Sequence, residues 1–471
     1  MIKFSEFNLS PAVLKALGEM GFEEATPIQE QAVPIGLKGQ DIIGQAHTGT
    51  GKTAAFGIPL VELLPAGREE IQALVLTPTR ELAVQVAEEL NRLGQYKGVR
   101  TLPVYGGQDI NRQIRALKAR PQIIVATPGR FMDHMRRGTI RTDRVRAVVL
   151  DEADEMLKMG FIEDIETILR EIPAGRQTML FSATIPASIQ QLARRFMVDP
   201  EMIRVVSRQV AVPSVEQSYI LVEEKQKFDV LCRLLDVQSP ERAIIFGRTK
   251  RRVDELFDAL SKRGYCAEGI HGDMPQGRRD VVIRKFKEGA VEALVATDVA
   301  ARGLDITGVT HIYNFDLPQD PESYVHRIGR TGRAGSSGTA VSLVTPREIR
   351  HLQVIERVAG GEMVKKPAPT VKEVFAGQQR LAVDKLLLAV ENGGLGSYRE
   401  AAEELLEEVD PVTLLAAALK LLTRETDRTP VALTEEKPFP AKNRKKAGSG
   451  YGEHVDRRSA KKRGRRDGMA R

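Results

Sequence analysis

The chain has 471 residues, of which 42% are apolar and 28% are charged, so it is long enough for roughly two to four folded domains and is not of disordered composition. Its two cysteines, Cys232 and Cys266, are too few for a disulfide framework or a zinc site, which favours a reducing, cytoplasmic compartment. We find no secretory signal and no stretch that approaches the roughly 18 apolar residues of a spanning helix, so we expect no membrane partner.

Short apolar runs alternate with helical patterns through the first part of the chain. The runs are DIIGQA (41–46), ALVLTP (73–78), QIIVAT (122–127), RAVVLDE (146–152) and QTMLFSAT (177–184). Strands that are separated by helices pair in parallel, with helices covering both faces of the sheet. The pattern therefore predicts a parallel α/β domain at residues 1–207.

The sequence AHTGTGKT (46–53) follows the first of these strands and should open a helix. Its glycines let backbone N–H groups approach a phosphate, and the helix N-terminus adds a positive dipole. The lysine can then reach the β and γ phosphates, and the hydroxyl of the last threonine can bind Mg²⁺. The predicted nucleotide contacts are Thr48, Gly49, Gly51, Lys52 and Thr53. A chance glycine-rich turn is the alternative.

Further along, VVLDEADEML (148–157) places acids at the end of a hydrophobic strand. In parallel α/β sheets, ligands bind at the carboxyl ends of the strands. We therefore predict that Asp151 holds Mg²⁺ and that Glu152 orients and deprotonates an attacking water. The alternative is a set of acids that merely opens a solvated helix.

The letters DEAD at 151–154 resemble motif II of the DEAD-box RNA helicases, and the other motifs of that family follow in order. Upstream, GFEEATPIQ (21–29) resembles the Q motif. The Gln29 amide can pair with the N6 and N7 edge of adenine in a way that guanine would reject, and Phe4 is placed to stack on the base. This resemblance implies that the nucleotide is ATP.

Four shorter motifs of the first domain resemble those of the same family. They are PTRELA (78–83), GG (106–107), TPGR (127–130) and SAT (182–184). The resemblance implies that the first three contact RNA phosphates and sugars, at Arg80, Gly107, Thr127 and Arg130. It also implies that Ser182 and Thr184 hydrogen-bond near Asp154 as coupling elements.

A second series of apolar runs predicts a second α/β domain. The runs are RAIIFG (242–247), VEALVATD (291–298), VTHIYNFD (309–316) and TAVSLVT (339–345). We place this domain at 214–360, after a linker at 208–213. By resemblance, the two domains form a tandem of RecA-like parallel-sheet domains.

Motifs in the second domain resemble those with which the family contacts RNA and nucleotide. They are IIFGRTK (244–250), QGRR (276–279) and ATDVAARGLD (296–305). The implied RNA contacts are Arg248, Thr249, Arg279 and Thr297. Asp305 would face the ribose of ATP.

The sequence HRIGRTGR (326–333) concentrates positive charge in the second domain. It matches motif VI of the family, which implies that Arg330 and Arg333 reach across a cleft to the phosphates bound by the first domain. Arginine suits this role because its planar fork stays charged and binds phosphate oxygens in pairs. His326 would lie near the γ-phosphate water network. The alternatives are a solvated basic loop and a nucleic-acid-binding patch.

The character of the chain changes after about residue 361. Apolar residues recur at three- and four-residue spacings in QQRLAVDKLLLAVE (378–391), SYREAAEELLEEV (397–409) and DPVTLLAAALKLLTRE (410–425), which predicts helices. This segment is similar to the dimerisation region of bacterial cold-shock and ribosome-associated DEAD-box helicases. We therefore predict a small all-α region at 361–430 that forms a homodimer; packing of its apolar face on the second α/β domain of the same chain is the alternative.

Residues 431–471 carry 13 Lys and Arg against 5 Asp and Glu, a balance of +8 in a chain whose net charge is +7. The rest of the chain is thus nearly neutral. Such a polycation binds RNA through counterion release with little sequence selectivity. We predict a disordered tail that tethers RNA; a tail that only improves solubility is the alternative.

Together these features predict an ATP-dependent RNA helicase that clamps RNA and locally unwinds short duplexes. We expect little sequence preference, because the family contacts favour sugar and phosphate over base edges. Ribosome assembly, RNA turnover or cold adaptation is the expected role, with ribosomal precursors or the RNA-decay machinery as partners. Two alternatives remain: an RNA clamp or annealing protein without useful unwinding, and a DNA-directed motor, which the Q motif and the DEAD spelling disfavour.

Overall fold

The computed structural model describes residues 2–46, 50–65, 67, 69–205, 215–301, 306, 308–332, 337–423, 431 and 433–434. Within them lie two sheets of seven strands each, and the strands of both sheets pair in parallel. The prediction of two tandem parallel α/β domains followed by helices is confirmed. The predicted linker at 208–213 falls outside the described residues.

The first sheet has the strand order β3-β4-β2-β5-β6-β1-β7. Its strands are β1 (Ile42–Gln45), β2 (Ala73–Leu76), β3 (Thr101–Val104), β4 (Ile123–Ala126), β5 (Ala147–Asp151), β6 (Gln177–Ser182) and β7 (Glu201–Arg204). The helices that accompany it are α1 (Pro11–Glu19), α2 (Pro27–Leu37), α3 (Lys52–Leu63), α4 (Arg80–Gly94), α5 (Ile110–Leu117), α6 (Pro128–Arg136), α7 (Ala153–Lys158), α8 (Ile162–Arg170) and α9 (Ala187–Phe196).

Both faces of the first sheet are buried. Val75 and Val149 lie in one hydrophobic cluster, whereas their neighbours Leu74 and Leu150 lie in another on the opposite face. Successive side chains of a strand point to opposite faces, so a strand covered on both sides reads as a continuous apolar run. This is why the central strands were recognisable in the sequence.

The second sheet has the order β10-β11-β9-β12-β13-β8-β14. Counted from its own first strand, this is the same order as in the first sheet. Its strands are β8 (Val215–Leu221), β9 (Ala243–Phe246), β10 (Ala267–Ile270), β11 (Ala293–Ala296), β12 (His311–Asn314), β13 (Gly338–Val344) and β14 (Val364–Lys365). Its helices are α10 (Lys227–Gln238), α11 (Lys250–Lys262), α12 (Gln276–Lys287), α13 (Asp298–Ala301), α14 (Pro321–Ile328) and α15 (Ile349–Ala359).

Equivalent strands of the two sheets lead into equivalent helix starts. Thr79, after β2, caps α4 and accepts a hydrogen bond from the N–H of Leu82 at 3.3 Å. Thr249, after β9, caps α11 and accepts from the N–H of Arg252 at 3.1 Å. The backbone angles of the two threonines agree within a few degrees, with φ −126° and ψ 158° for Thr79 and φ −124° and ψ 158° for Thr249.

Three helices follow the second sheet: α16 (Val371–Asn392), α17 (Gly396–Glu408) and α18 (Pro411–Leu422). Strand β14 pairs with β8, so the second sheet extends beyond the boundary that we predicted at 360. Val431 and Leu433 pack against the core of the second domain, and Thr434 N donates to Glu255 Oε2 at 3.2 Å. The start of the predicted tail therefore lies against the second domain. No helix among the described ranges is long and apolar enough to cross a bilayer.

Candidate functional site

The phosphate loop joins β1 to α3. Gly51, the N-cap of α3, has φ +87°, and a Cβ there would lie 2.3 Å from Nε2 of Gln29, so only glycine fits. Lys52 follows, and its buried Nζ has no hydrogen-bond partner in the described part of the chain. A buried ammonium at a helix N-terminus suits an anionic phosphate, because burying a charge without a partner is costly. Thr48 and Gly49 lie outside the described residues.

The Q-motif residues brace this loop. Gln29 Oε1 accepts from Thr26 N at 2.9 Å, and Gln29 Nε2 donates to Gly51 O at 3.0 Å. Thr26 Oγ1 donates to Thr50 O at 2.8 Å. The side chain of Gln29 is therefore engaged with the protein on both sides of its amide. Its pairing with adenine stays a prediction, and that pairing requires the amide to exchange partners.

Phe4, the expected base-stacking residue, lies in the core. Its side chain is 3% exposed, and its ring centroid lies 5.9 Å from that of Phe7 and 6.3 Å from that of Phe22. The ring of Phe22 stacks on it with an interplanar angle of 25°. Stacking of Phe4 on a base stays a prediction, and it requires this aromatic packing to open.

The acids of motif II lie at the carboxyl end of β5. Asp151 and Glu152 are buried, and Glu152 has φ +52°, a left-handed conformation that is uncommon outside glycine. Burial raises the pKa of the Asp151 carboxyl to about 7, and the charge of Lys52 opposes that rise. A bound cation would keep this carboxylate ionised. Thr53, half-buried in the first turn of α3, supplies a second oxygen of the kind that Mg²⁺ prefers.

Asp154 connects motif II to the SAT motif. Its Oδ2 accepts from the N–H and from the Oγ1 of Thr184, both at 3.0 Å, and its own N–H donates to Ser182 Oγ at 3.2 Å. Burial raises the pKa of Asp154, but the Ser182 hydroxyl, the charge of Lys52 and the hydrogen bonds from Thr184 together outweigh it, and the net pKa is below its usual value. An ionised Asp154 thus ties the end of β6 to α7.

Helix α14 contains the first residues of motif VI in its last turn. The helix is fixed to the second sheet by its own Arg327. The fully buried Arg327 donates from Nη2 to Asp298 Oδ2 at 2.9 Å and from Nη1 to Asn314 Oδ1 at 3.0 Å. Its guanidinium also lies 4.7 Å from the ring centroid of Phe246. Arg327 is therefore structural, which the sequence alone did not distinguish.

Of the other basic residues of this motif, His326 contacts the first sheet. His326 Nε2 is 3.7 Å from Oε1 of Glu155, a fully buried residue of α7. Since α14 belongs to the second sheet and α7 to the first, this contact spans the cleft between them. Arg330 is 6% exposed. Arg333 and Asp305 are not among the described residues, so their positions stay predictions.

The expected RNA contacts of the first sheet lie in loops after its strands and in the first turns of the helices that follow. Arg80 packs on Gly107, where a Cβ would lie 2.2 Å from its Nη1 and where φ is +82°. Arg80 Nη1 also donates to Gln276 Oε1 of the second sheet at 3.1 Å. Thr127 is the N-cap of α6, and Arg130 in the same helix donates to the carbonyl of Gln108 at 2.9 Å.

Three of the expected RNA contacts of the second sheet, Arg248, Thr249 and Thr297, closely follow strand ends. Arg248 N donates to Asp316 Oδ2 at 3.0 Å, and its Nη2 donates to Glu348 Oε1 at 2.9 Å. Thr249 caps α11, and Thr297 accepts at its Oγ1 from Ala300 N at 3.4 Å. These residues are held by their own domain.

A cavity of about 450 Å³ brings four of the predicted RNA contacts together. Arg80, Thr127, Arg130 and Arg279 all line it, and Arg279 also pairs with Glu81 of the first sheet at 2.7 Å. Burial, followed by the charge of Arg279, lowers the pKa of the Arg80 guanidinium. The three arginines of the lining outnumber its two acids, Glu81 and Asp133, and this excess of positive charge favours an anionic ligand. Arg248, Thr249 and Thr297 are not among the described residues that line this cavity.

Comparison with known proteins gives three family matches in chain order. The descriptions are DEAD/DEAH box helicase for residues 26–192, Helicase conserved C-terminal domain for 226–335 and RNA helicase DeaD dimerization domain for 369–436. The DEAD-box ATP-dependent RNA helicase CshA of Geobacillus kaustophilus is 61% identical over 95% of this chain and 96% of its own.

The chain belongs to the DEAD-box ATP-dependent RNA helicases.

Other relatives of this helicase agree. CshA of Bacillus subtilis is 58% identical over 94% of this chain and 90% of its own. The structure of S. cerevisiae Dbp5 bound to RNA and ADP BeF3 is similar with a TM-score of 0.73 and 34% identity, over 79% of this chain and 97% of that one. The family that the sequence motifs indicated is confirmed.

The C-terminal helices of this helicase expose much apolar surface. Val374, Gln378 and Ala382 of α16 are buried, whereas α17 and α18 have no buried residue. In α18, Leu415 is 54% and Leu422 is 41% exposed. These helices lie within the match to the DeaD dimerization domain.

Sequence motifs did not reveal one contact across the cleft of the helicase. Lys158, the last residue of α7, lies within hydrogen-bond distance of Asp320 and Glu322 at the start of α14. None of these three residues lies within a motif that we identified in the sequence. Lys158 is 162 residues from Asp320 and 164 residues from Glu322 in the sequence, so no local pattern indicates the contact.

Proposed function

We propose that this helicase binds ATP and Mg²⁺ at the first sheet and hydrolyses ATP when the second sheet closes on it over bound RNA. The observation that supports this proposal is that the proposed ATP-site residues are divided between the two sheets. Lys52 and Asp151 lie on the first sheet, whereas His326 and Arg330 lie on the second. Because RNA contacts also come from both sheets, RNA and ATP favour the same closed arrangement.

The proposed roles follow from charge and position. Lys52 and the N-terminus of α3 bind the phosphates, and Glu152 accepts a proton from the attacking water. Arg330, together with Arg333, stabilises charge on the transferred phosphoryl group. The contacts assigned to base and ribose are Gln29, Phe4 and Asp305.

Thr53 and Asp151 are the residues that we propose to hold Mg²⁺. The buried carboxylate of Asp151 and the hydroxyl of Thr53 are hard-oxygen donors of the kind that suits this ion. When bound, Mg²⁺ neutralises charge that develops on the phosphates.

RNA binding is proposed for the cavity of Arg80, Arg130 and Arg279, where guanidinium groups can pair with phosphates of the strand. Such contacts position a strand without reading its bases. A strand that is gripped by both domains and bent on closure loses pairs to its partner locally. We therefore propose clamping of single strands and local unwinding of short duplexes with little sequence preference.

The first test is turnover with and without nucleic acid. We expect single-stranded RNA to raise ATPase turnover at least about tenfold, since closure completes the site, and we expect ATP-dependent displacement of a strand from a short RNA duplex. DNA of the same sequence is the control, with little stimulation expected. RNA-stimulated turnover without strand displacement would favour the clamp, and equal stimulation by DNA would favour the DNA motor.

We also propose a homodimer through 361–430. Leu415 and Leu422 lie two turns apart on one face of α18, and burial of a leucine contributes about 1.5–3 kcal/mol. Because a symmetric interface counts each change twice, Leu415→Asp with Leu422→Asp is expected to raise the dimer Kd at least about a hundredfold. Light scattering over a micromolar concentration range measures it, with the exposed Lys420→Asp as control. A monomeric wild-type chain would contradict the dimer.

The biological role is proposed more broadly, as remodelling of structured RNA in the cytoplasm. Ribosome assembly, RNA turnover and cold adaptation all present short duplexes that must open. The basic residues of 431–471 would tether RNA near the cavity. Crosslinking in cells followed by RNA sequencing, with ribosomal precursors and messenger RNA as the competing outcomes, identifies the target.

A further inference from the structure

A lysine at the end of the motif II helix contacts two carboxylates of the motif VI helix. Lys158 Nζ lies 2.8 Å from Asp320 Oδ2 and 2.8 Å from Glu322 Oε2. Behind it, the same Nζ lies 3.3 Å from Oε1 of Glu155. One ammonium of the first sheet therefore bridges three carboxylates, two of which belong to the second sheet.

The two helices joined by this contact carry the proposed catalytic groups. Helix α7 begins at the residue after Glu152, and Lys158 is its last residue. Helix α14 begins next to Asp320, has His326 in its last turn and ends two residues before Arg330. Because a short helix moves as a rigid unit, the position of its first turn sets the position of its last.

The charges of the neighbouring carboxylates favour Lys158 at this position. Glu155 is fully buried, and a buried carboxylate needs a cation nearby. Lys158, 32% exposed, supplies one from the same helix. Burial lowers the pKa of Lys158, but the bonds to Asp320 and Glu322 outweigh it and raise the pKa overall. The hydrogen bond from Lys158 likewise outweighs burial and lowers the pKa of Asp320.

We propose that Lys158 is a positioning residue for ATP hydrolysis. By bridging Asp320 and Glu322, it aligns α14 on the first sheet and so sets the distance of His326 and Arg330 from the phosphates. The proposal rests on the proposed function, because it assumes that closure brings the groups of α14 to bound ATP.

The alternative is an ion pair that only stabilises the C-terminal end of α7. A single exposed pair contributes little to folding, so stability cannot distinguish the two roles. A measurement of closure can distinguish the two roles, because each bond from Lys158 to α14 exists only when the two sheets are together. Reversal of the charge on Lys158 adds a fourth carboxylate to Glu155, Asp320 and Glu322 and so opposes closure directly.

The experiment uses the full chain with Lys158→Glu. We expect the RNA concentration for half-maximal ATPase to rise about threefold to tenfold, from the loss of two partly exposed pairs. Energy transfer between dyes on the exposed Cys266 and on a cysteine introduced at Glu163 should show a smaller closed fraction with RNA and a non-hydrolysable ATP analogue. Lys158→Gln should shift both measurements in the same direction by a smaller factor.

Rescue decides between positioning and local stability. Adding Glu322→Lys to Lys158→Glu should recover most of the loss in both measurements, whereas Lys118→Glu, an equal charge change on an exposed lysine of the same sheet, should leave them as in the wild type. No rescue, or equal losses of RNA-free and RNA-stimulated turnover with unchanged energy transfer, would overturn the proposal. A wild-type chain without RNA-stimulated turnover would overturn the proposed function instead, and energy transfer alone would then test Lys158.

Discussion

Replacing Arg330 by alanine is expected to lower RNA-stimulated ATP turnover by about 10³- to 10⁵-fold, the contribution of an arginine that stabilises a transferring phosphoryl group. Arg330 is 6% exposed and follows α14, which Arg327 fixes to the second sheet. ATP affinity should change little, because the proposed phosphate contacts of Lys52 and α3 lie on the first sheet. Steady-state ATPase at saturating RNA, beside titration with a fluorescent ATP analogue, measures both effects.

Two variants make this result specific. Arg330→Lys keeps the charge but loses the planar fork, so its turnover should remain closer to that of alanine than to that of arginine. Arg350→Ala removes an exposed arginine from α15 of the same domain and should turn over normally. If Arg330→Ala weakens RNA binding alone and turns over normally at saturating RNA, the residue belongs to a nucleic-acid patch. We expect Arg333→Ala to behave like Arg330→Ala.

The second large effect on ATP turnover is expected for Glu152→Gln. Loss of the general base should lower turnover about 10²- to 10⁴-fold. The amide keeps the size of the side chain, so ATP and RNA should still bind and the closed complex should persist. Glutamine must also adopt the left-handed backbone seen at φ +52°, which is as costly for it as for glutamate. The measurement pairs ATPase with the dissociation rate of labelled RNA in the presence of ATP.

For this variant the matched control is Glu163→Gln, the same exchange at an exposed position of α8. It should leave turnover and RNA dissociation unchanged. Normal turnover by Glu152→Gln would remove this residue from the chemistry. A loss of RNA binding together with turnover would instead point to local misfolding at the end of β5.

Most internal strands matched predicted runs, namely β1, β2, β4, β5 and β6 of the first sheet and β9, β11, β12 and β13 of the second, whereas the edge strands did not. Each of β3, β7, β10 and β14 lies at an edge and was not among the predicted runs. Pro103 lies within β3, and Gly269 lies within β10. An edge strand needs partners on one side only, so it tolerates residues that would break a central ladder. Their apolar signal is correspondingly weak.

The candidate site divides in the same way between local and distant signals. Residues such as Lys52, Asp151 and Thr184 are recognisable because each belongs to a short contiguous motif at a strand end. The engagement of Gln29 with the phosphate loop depends on how α2 packs beside α3, and motif spacing does not encode that packing. The contact of Lys158 with the second sheet depends on the approach of the two domains, which no segment specifies alone.

The shared strand order has a consequence for the length of RNA that one cycle handles. Thr79 and Thr249 cap equivalent helices with nearly the same backbone angles, so the two sheets would present the proposed RNA contacts Arg80 and Arg248 in an equivalent way. The proposed RNA contacts of each sheet are fixed within that sheet, so closure would change only the distance between the two sets of contacts. We therefore expect the footprint on a strand to have a constant number of nucleotides in the closed state, and longer RNA should add further footprints without lengthening any one of them.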